Sequence, residues 1–405
     1  MNSPMRSRLI FLSASIVLML LLLSGSFRSV SPARAADGAK DKTNEDTGSI
    51  YKYLSIFTET LNLVRNAGVE EFPNETLMAN AMDGVTDALD PFSIYIPAGQ
   101  YEAYKRAQAV GSGRSGLRLV KERGFALVVG AGEDSPAAKA GLEVGDLLSK
   151  VDGRPTRVMP MWELVEVFAG APGAKVEIEI IHRAEPKNVT LTLAEWQPPA
   201  PHVEELRGGV PMLRIAELGP QTAAETETVL RGLAERKKLL IDLRDASGAD
   251  PAVGYAVAEL FVRGDLGALV RREDTVSTFA SAREPAWKGE LVVLVDRGTL
   301  GAGEILATIL RQAIGAKLVG ADATFGYAGR SAVIDVKKGG KLQLTDAFYS
   351  GPDKKPLREG LIPDLEVDER IRTFAEKDVP VPELVRDRAL RLILGEDSLP
   401  AKKAA

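Results

Sequence analysis

The sequence contains no cysteine, which excludes disulfides, a cysteine nucleophile, thiolate metal sites and a lipid-modified cysteine. Its 2 histidines, His182 and His202, leave little room for a histidine-built metal site or a Ser-His-Asp triad. Positive charge is not in excess: Lys+Arg 51 stand against Asp+Glu 56, a formal net charge of −5, which argues against a nucleic-acid partner. With 38 Gly and 23 Pro near average usage, collagen-like and low-complexity readings fall away, and no short internal repeat is present. Neither a cofactor nor a metal is expected. The length, 405 residues, suits two to three domains.

What is present begins with Arg6 and Arg8, followed by the apolar run Leu9–Leu23 and the small-residue spacing Ala33-Arg34-Ala35. The run is shorter than the ~18 apolar residues that usually span a bilayer. Residues 1–35 therefore read as a signal peptide cleaved before Ala36, with an uncleaved anchor through residues 9–23 as the rival. Either way the chain is expected to be exported, in the bacterial periplasm or at the outer face of the inner membrane.

Residues 36–48 are polar and read as a flexible lead. Residues 49–110 form a helical segment, with Leu54, Phe57, Leu61 and Val64 on one face and a second helix from Asn74 that ends at Asp90-Pro91. Over 111–197, strands are expected at Leu117–Val120, Phe125–Val129, Leu147–Val151, Val176–Ile181 and Val189–Leu193, with a helix at Met161–Phe168. The Pro198–Pro201 linker leaves this module. Residues 198–370 alternate strand and helix, with buried-looking strands at Leu239–Leu243 and Leu291–Val295 and helices at Thr222–Arg236, Val253–Val262 and Gly303–Ala313. This predicts an α/β layer with partly parallel strands. A C-terminal helix, Val381–Leu394, and a polar tail fill 371–405. The fold class is α+β / α/β multidomain: N-terminal helices, a small β-sandwich or barrel, and an α/β core.

Four motifs stand in order along the chain: Asp90-Pro91-Phe92-Ser93-Ile94-Tyr95, Ser135 to Asp146 (SPAAKAGLEVGD), Asp242-Leu243-Arg244 and Gly360-Leu361-Ile362-Pro363-Asp364. In order and spacing they resemble the carboxyl-terminal processing proteases, tail-specific serine peptidases with an inserted PDZ domain and an α/β core. The resemblance runs from about Tyr51 to Val367. It implies a serine nucleophile at a strand-to-helix turn and a neutral lysine as base. Here Gly298-Thr299-Leu300-Gly301-Ala302-Gly303-Glu304-Ile305 puts Gly301 at the nucleophile position. Thr324-Phe325-Gly326-Tyr327-Ala328 puts Tyr327 at the lysine position, and Ser331 stands where the family has glutamine. Both members of the dyad are missing. Gly248 and the N–H of Ala302 match the family's oxyanion donors, although Gly248 and Gly301 also read as tight-turn residues. Ser331, Thr299 and Ser247 lie near the matched site, but no lysine is placed to activate them. Lys317 reads as a solvated strand-end charge, Glu304 as a helix-dipole partner and Arg244 as half of a structural ion pair.

The PDZ resemblance implies capture of an extended C-terminal peptide by strand addition. Arg114-Ser115-Gly116-Leu117-Arg118-Leu119 is the loop-and-strand candidate, and Val165 and Phe168 form the facing wall. Arg114 and Arg118 are expected to suit the peptide carboxylate. His182, His202, Trp162, Trp196 and Trp287 read as packing or surface residues. The sequence thus points to an exported, catalytically silent homologue that binds C-termini or unfolded tails as adaptor or regulator, with an active protease or an envelope protein as partner. The alternatives are an active endopeptidase with a relocated nucleophile and a structural oligomerisation module.

Overall fold

The computed structural model describes residues 42–122, 124–337, 339–368, 376 and 378–397. The expected signal peptide and the end of the polar tail lie outside these residues. The chain divides into two units, before and after Glu71/Phe72. The first holds helix α1, Lys42–Ala67. It corrects the expectation of a flexible lead, since residues 42–48 are helical. A helix nucleated in the apolar-periodic stretch propagates into polar residues because each one added gains a backbone hydrogen bond.

In the second unit, α2 (Asn74–Asp87) leads to strand β1 (Ile94–Pro97) and helix α3 (Tyr101–Val110). The turn between α2 and β1 is built by Asp90, whose Oδ1 accepts the N–H groups of Phe92 at 2.8 Å and Ser93 at 2.7 Å. The segment expected to be helical over 49–110 thus also contains a strand, and β1 pairs far along the chain.

The next module contains β2 (Leu117–Glu122), β3 (Phe125–Ala131), α4 (Pro136–Lys139), β4 (Leu147–Val151), β5 (Arg154–Pro155), α5 (Met161–Phe168), β6 (Lys175–His182) and β7 (Glu185–Thr192). Its antiparallel sheet runs β2-β3-β4-β6-β7, with β5 beside β4, so β2 is an edge strand. Leu117, Val128, Leu148, Leu164 and Ile178 share its small core. Ser135 caps α4 by accepting the Ala138 N–H at 3.1 Å.

The remaining elements are β8 (His202–Leu206), β9 (Val210–Arg214), α6 (Thr222–Gly232), β10 (Lys238–Asp242), α7 (Val253–Ala258), β11 (Gly264–Arg271), β12 (Asp274–Ser281), β13 (Glu290–Leu294), α8 (Ala302–Ile314), β14 (Lys317–Gly320), β15 (Gly329–Val336), β16 (Gly340–Tyr349), β17 (Leu365–Glu366) and α9 (Val381–Leu394). One sheet runs β17-β14-β13-β10-β9-β8, parallel except for β8 against β9. A second, antiparallel sheet runs β1-β16-β11-β12, with β15 also on β16.

Strand β10 is apolar on both faces, as a covered parallel strand must be. Leu239 and Ile241 join Ile305, Leu306 and Ile309 of α8, while Leu240 joins Leu384, Val385 and Leu390 of α9. Helix α9 is also fastened to both ends of β10. Lys238 Nζ donates to the Ile393 carbonyl at 2.6 Å, and Arg244 donates to the Pro382 carbonyl at 2.6 Å. Arg244 forms the expected ion pair, 2.6 Å from Asp242.

Candidate functional site

The strand-to-helix turn between β13 and α8 is held by Asp296. Its Oδ1 accepts the N–H groups of Gly298 at 2.9 Å, Thr299 at 3.0 Å and Asp245 at 2.8 Å, which joins the ends of two neighbouring strands. Burial pushes the Asp296 carboxyl up to about 6, with the carboxylates of Asp245 and Asp242 adding to the rise. Gly301 then adopts φ 56° and ψ −104°, a conformation L side chains rarely take. A Cβ there would meet nothing closer than Pro251, at 3.7 Å. Position 301 therefore has room for a small side chain and carries none. Ala302 is the first residue of α8, where an N–H has no acceptor within the helix.

Glu304 does more than answer the helix dipole. Its carboxylate is buried and accepts the N–H of Gly301 (3.0 Å), Gly326 (2.5 Å) and Tyr327 (3.1 Å) and the hydroxyl of Thr324 (2.5 Å). Burial pushes its carboxyl above the usual range, and the four donors oppose that shift.

Tyr327 fills an aromatic cluster. It stacks on Phe92 at 4.9 Å between ring centroids and meets Phe348 edge-on at 5.0 Å. Burial, followed by the Asp90 charge, pushes its phenol up. Thr299 donates its hydroxyl to the Leu243 carbonyl at 2.7 Å. Ser331 is exposed on β15 opposite Thr345, and Ser247 is buried. Gly248 is not a positive-φ turn residue, which corrects that part of the expectation. It is glycine because a Cβ would lie 2.2 Å from the Leu218 carbonyl oxygen. Among the described residues, no cluster of three or more histidines, cysteines or carboxylates is placed to hold a metal ion.

The expected peptide groove lies between edge strand β2 and helix α5. Leu117 and Phe168 are buried, and Leu119 and Val165 are half-buried. Two expectations about its polar end change. The N–H of Gly116 is donated to Ser112 at 2.6 Å and that of Leu117 to Ser115 Oγ at 3.1 Å. The arginines are also engaged: Arg114 pairs with Glu195, and Arg118 donates to the carbonyl and Oδ1 of Asp245 at 2.6 and 2.7 Å.

Sequence reasoning missed that the groove and the turn share one cavity of about 370 Å³. Leu117, Leu119, Val165 and Phe168 line one side, and Ser247, Gly248, Ala249, Leu300 and Glu217 line the other. The two sides are joined by Arg118–Asp245 and by an apolar contact of Val120, Leu127 and Val129 with Phe92, Leu300 and Phe325. Glu217 carries no motif. It reaches the cavity because Leu218 donates to the Ser247 carbonyl at 2.7 Å, setting its segment beside the Ser247–Ala249 loop.

Residues 209–367 match the model of peptidase family S41, and residues 127–182 match a PDZ domain. This is an S41 peptidase-family core carrying a PDZ domain. Its homologues are carboxy-terminal processing proteases. One from Bartonella bacilliformis is 24% identical over 401 residues, covering 96% of this chain and 85% of that protein. One from Synechocystis sp. is 29% identical over 281 residues, covering 67% of this chain and 65% of that protein. The solved photosystem II D1 C-terminal processing protease shares the fold, with a TM-score of 0.64 at 24% identity over 79% of this chain and 89% of that one. The S41 core thus contains the turn at Gly301 and the aromatic cluster at Tyr327. The residues matched to the PDZ domain include α5, and β2 pairs with β3 in the same sheet.

Proposed function

We infer that this chain is an exported homologue of the carboxy-terminal processing proteases that binds protein C-termini or unfolded tails without cutting them. It acts as an adaptor or regulator, paired with an active protease or another envelope protein. The observation that carries the reading is Gly301: the turn that would present a nucleophile has no side chain. At Tyr327 a phenol held neutral by burial occupies the position where a lysine base would be needed. The test is mass spectrometry of an unfolded reporter with an apolar C-terminus, incubated with residues 36–405 or with the Gly301→Ser/Tyr327→Lys variant. An intact reporter with the unaltered chain supports the reading, and cleavage by it overturns the reading. Cleavage by the variant alone adds that only the dyad separates this chain from an active enzyme.

A second reading, a structural module with its PDZ domain closed against the core, is favoured by the Arg118–Asp245 pair. Binding of a tail peptide separates the two.

A further inference from the structure

Two unsatisfied polar atoms sit on the cavity shared by the PDZ domain and the S41 core. Glu217 Oε2 and Arg118 Nε are each buried with no hydrogen-bond partner among the described residues, and both residues line the same space. One atom is an acceptor and the other a donor. Leaving either unpaired in a buried site is unfavourable, and a ligand that satisfies both recovers that cost.

The geometry of strand addition says which part of a ligand would meet them. Along β2, Leu117 and Leu119 face the PDZ interior, whereas Val120 packs on the S41 core and Arg118 reaches across to it. A tail added to the free edge of β2 alternates in the same way. Its terminal side chain enters the apolar groove between β2 and α5, and the residue before it turns towards Arg118 and Glu217.

We propose that the joint cavity selects C-terminal tails in which an apolar last residue is preceded by glutamine or asparagine. A carboxamide both donates and accepts, so its NH2 serves Glu217 Oε2 while its carbonyl accepts from Arg118 Nε. A lysine there lacks the acceptor, a glutamate lacks the donor, and a methionine offers neither. Burial raises the Glu217 carboxyl above its usual range, with Arg118 opposing and Asp245 adding to the rise. The amide serves the site in either protonation state of Glu217. This inference rests on tail binding by the PDZ domain.

The test uses the chain from residue 36 onward and fluorescent tails ending in X-Leu, with X as Gln, Met, Glu or Lys, read by anisotropy. The Gln tail is expected to bind at least about tenfold more tightly than the Met tail, since even one of its two buried hydrogen bonds supports that ratio. Glu217→Met should bring that ratio close to one, and so should Arg118→Met, with thermal melts confirming that both variants fold. Equal binding of all four tails, or preference for Lys or Glu, overturns the carboxamide inference and leaves tail binding standing. Failure of every tail to bind overturns both.

Discussion

Gly301 and Tyr327 donate their backbone N–H groups to one oxygen, Oε2 of Glu304, at 3.0 and 3.1 Å. The two positions where the family resemblance expects nucleophile and base are thus held together through their backbones by one carboxylate. Glu304→Leu would leave three N–H donors and one hydroxyl buried without an acceptor. A loss of at least about 3 kcal/mol in a urea titration is expected, from 1–3 kcal/mol per orphaned group with partial relaxation. A loss below about 1 kcal/mol would show that the clasp is dispensable.

Two glycines of the site should respond differently to a methyl group. At Gly301 the Cβ has room, with Pro251 at 3.7 Å, and the penalty is the φ of 56°. Gly301→Ala is expected to fold with a loss of about 1–2 kcal/mol. At Gly248 the Cβ would lie 2.2 Å from a backbone oxygen. Gly248→Ala must displace the loop and should cost more than Gly301→Ala. Denaturant midpoints of the two variants decide this, and the reverse order would contradict the geometry.

Asp296 gives a pH signature. Its folded-state value of about 6 lies above the ordinary 3.8, so the folded protein holds this proton more tightly than the unfolded chain does. The stabilisation is full below the ordinary value and is lost as pH rises through about 6. Asp296→Asn keeps an acceptor oxygen for the three N–H groups and removes the titration. Between about pH 4 and pH 7 the unaltered protein should lose on the order of 2–3 kcal/mol more than the variant. Equal pH slopes in guanidinium titrations would remove Asp296 as the cause.

Gly130 should report on the contact between the two domains. A Cβ there would lie 2.3 Å from Arg118 Nε, the end of a side chain able to swing away. Gly130→Ala is therefore expected to fold but to detach Arg118 from Asp245. Hydrogen exchange should rise around Asp245–Ala249 with little change in β6 and β7. An unchanged exchange pattern would show that Arg118 does not hold this contact.

Much of the fold is legible in the sequence, because its strands are apolar on a two-residue period or on both faces. Helix α5 and strand β4 occupy the expected residues, and α9 begins and ends where its amphipathic stretch does. Helix α6 stops at Gly232 rather than Arg236, consistent with the low helix propensity of glycine. The hairpin of β11 and β12 was not legible. Most of β12 is exposed and polar, so no apolar alternation marks it. The short strand β1 was hidden for another reason: its partner, β16, lies far along the chain. The site shows the same split. Gly301, Tyr327 and Gly248 are visible because each sits inside a local motif. Glu217 is not, because its place in the cavity depends on the pairing of its neighbour Leu218 with Ser247, which no local pattern encodes.

The fastening of α9 to both ends of β10 has a consequence for deletion mapping. Arg244, which holds the Pro382 carbonyl, directly follows Leu243, whose carbonyl anchors the Thr299 hydroxyl beneath the Gly301 turn. Shortening the chain from its C-terminus past residue 381 would free one end of this two-step tether while leaving every recognisable motif in place. The same cut removes the α9 side chains that cover Leu240, so a loss of function in such a truncation series would report on the β10 sheet and on a turn some eighty positions upstream of the cut as well as on the tail itself.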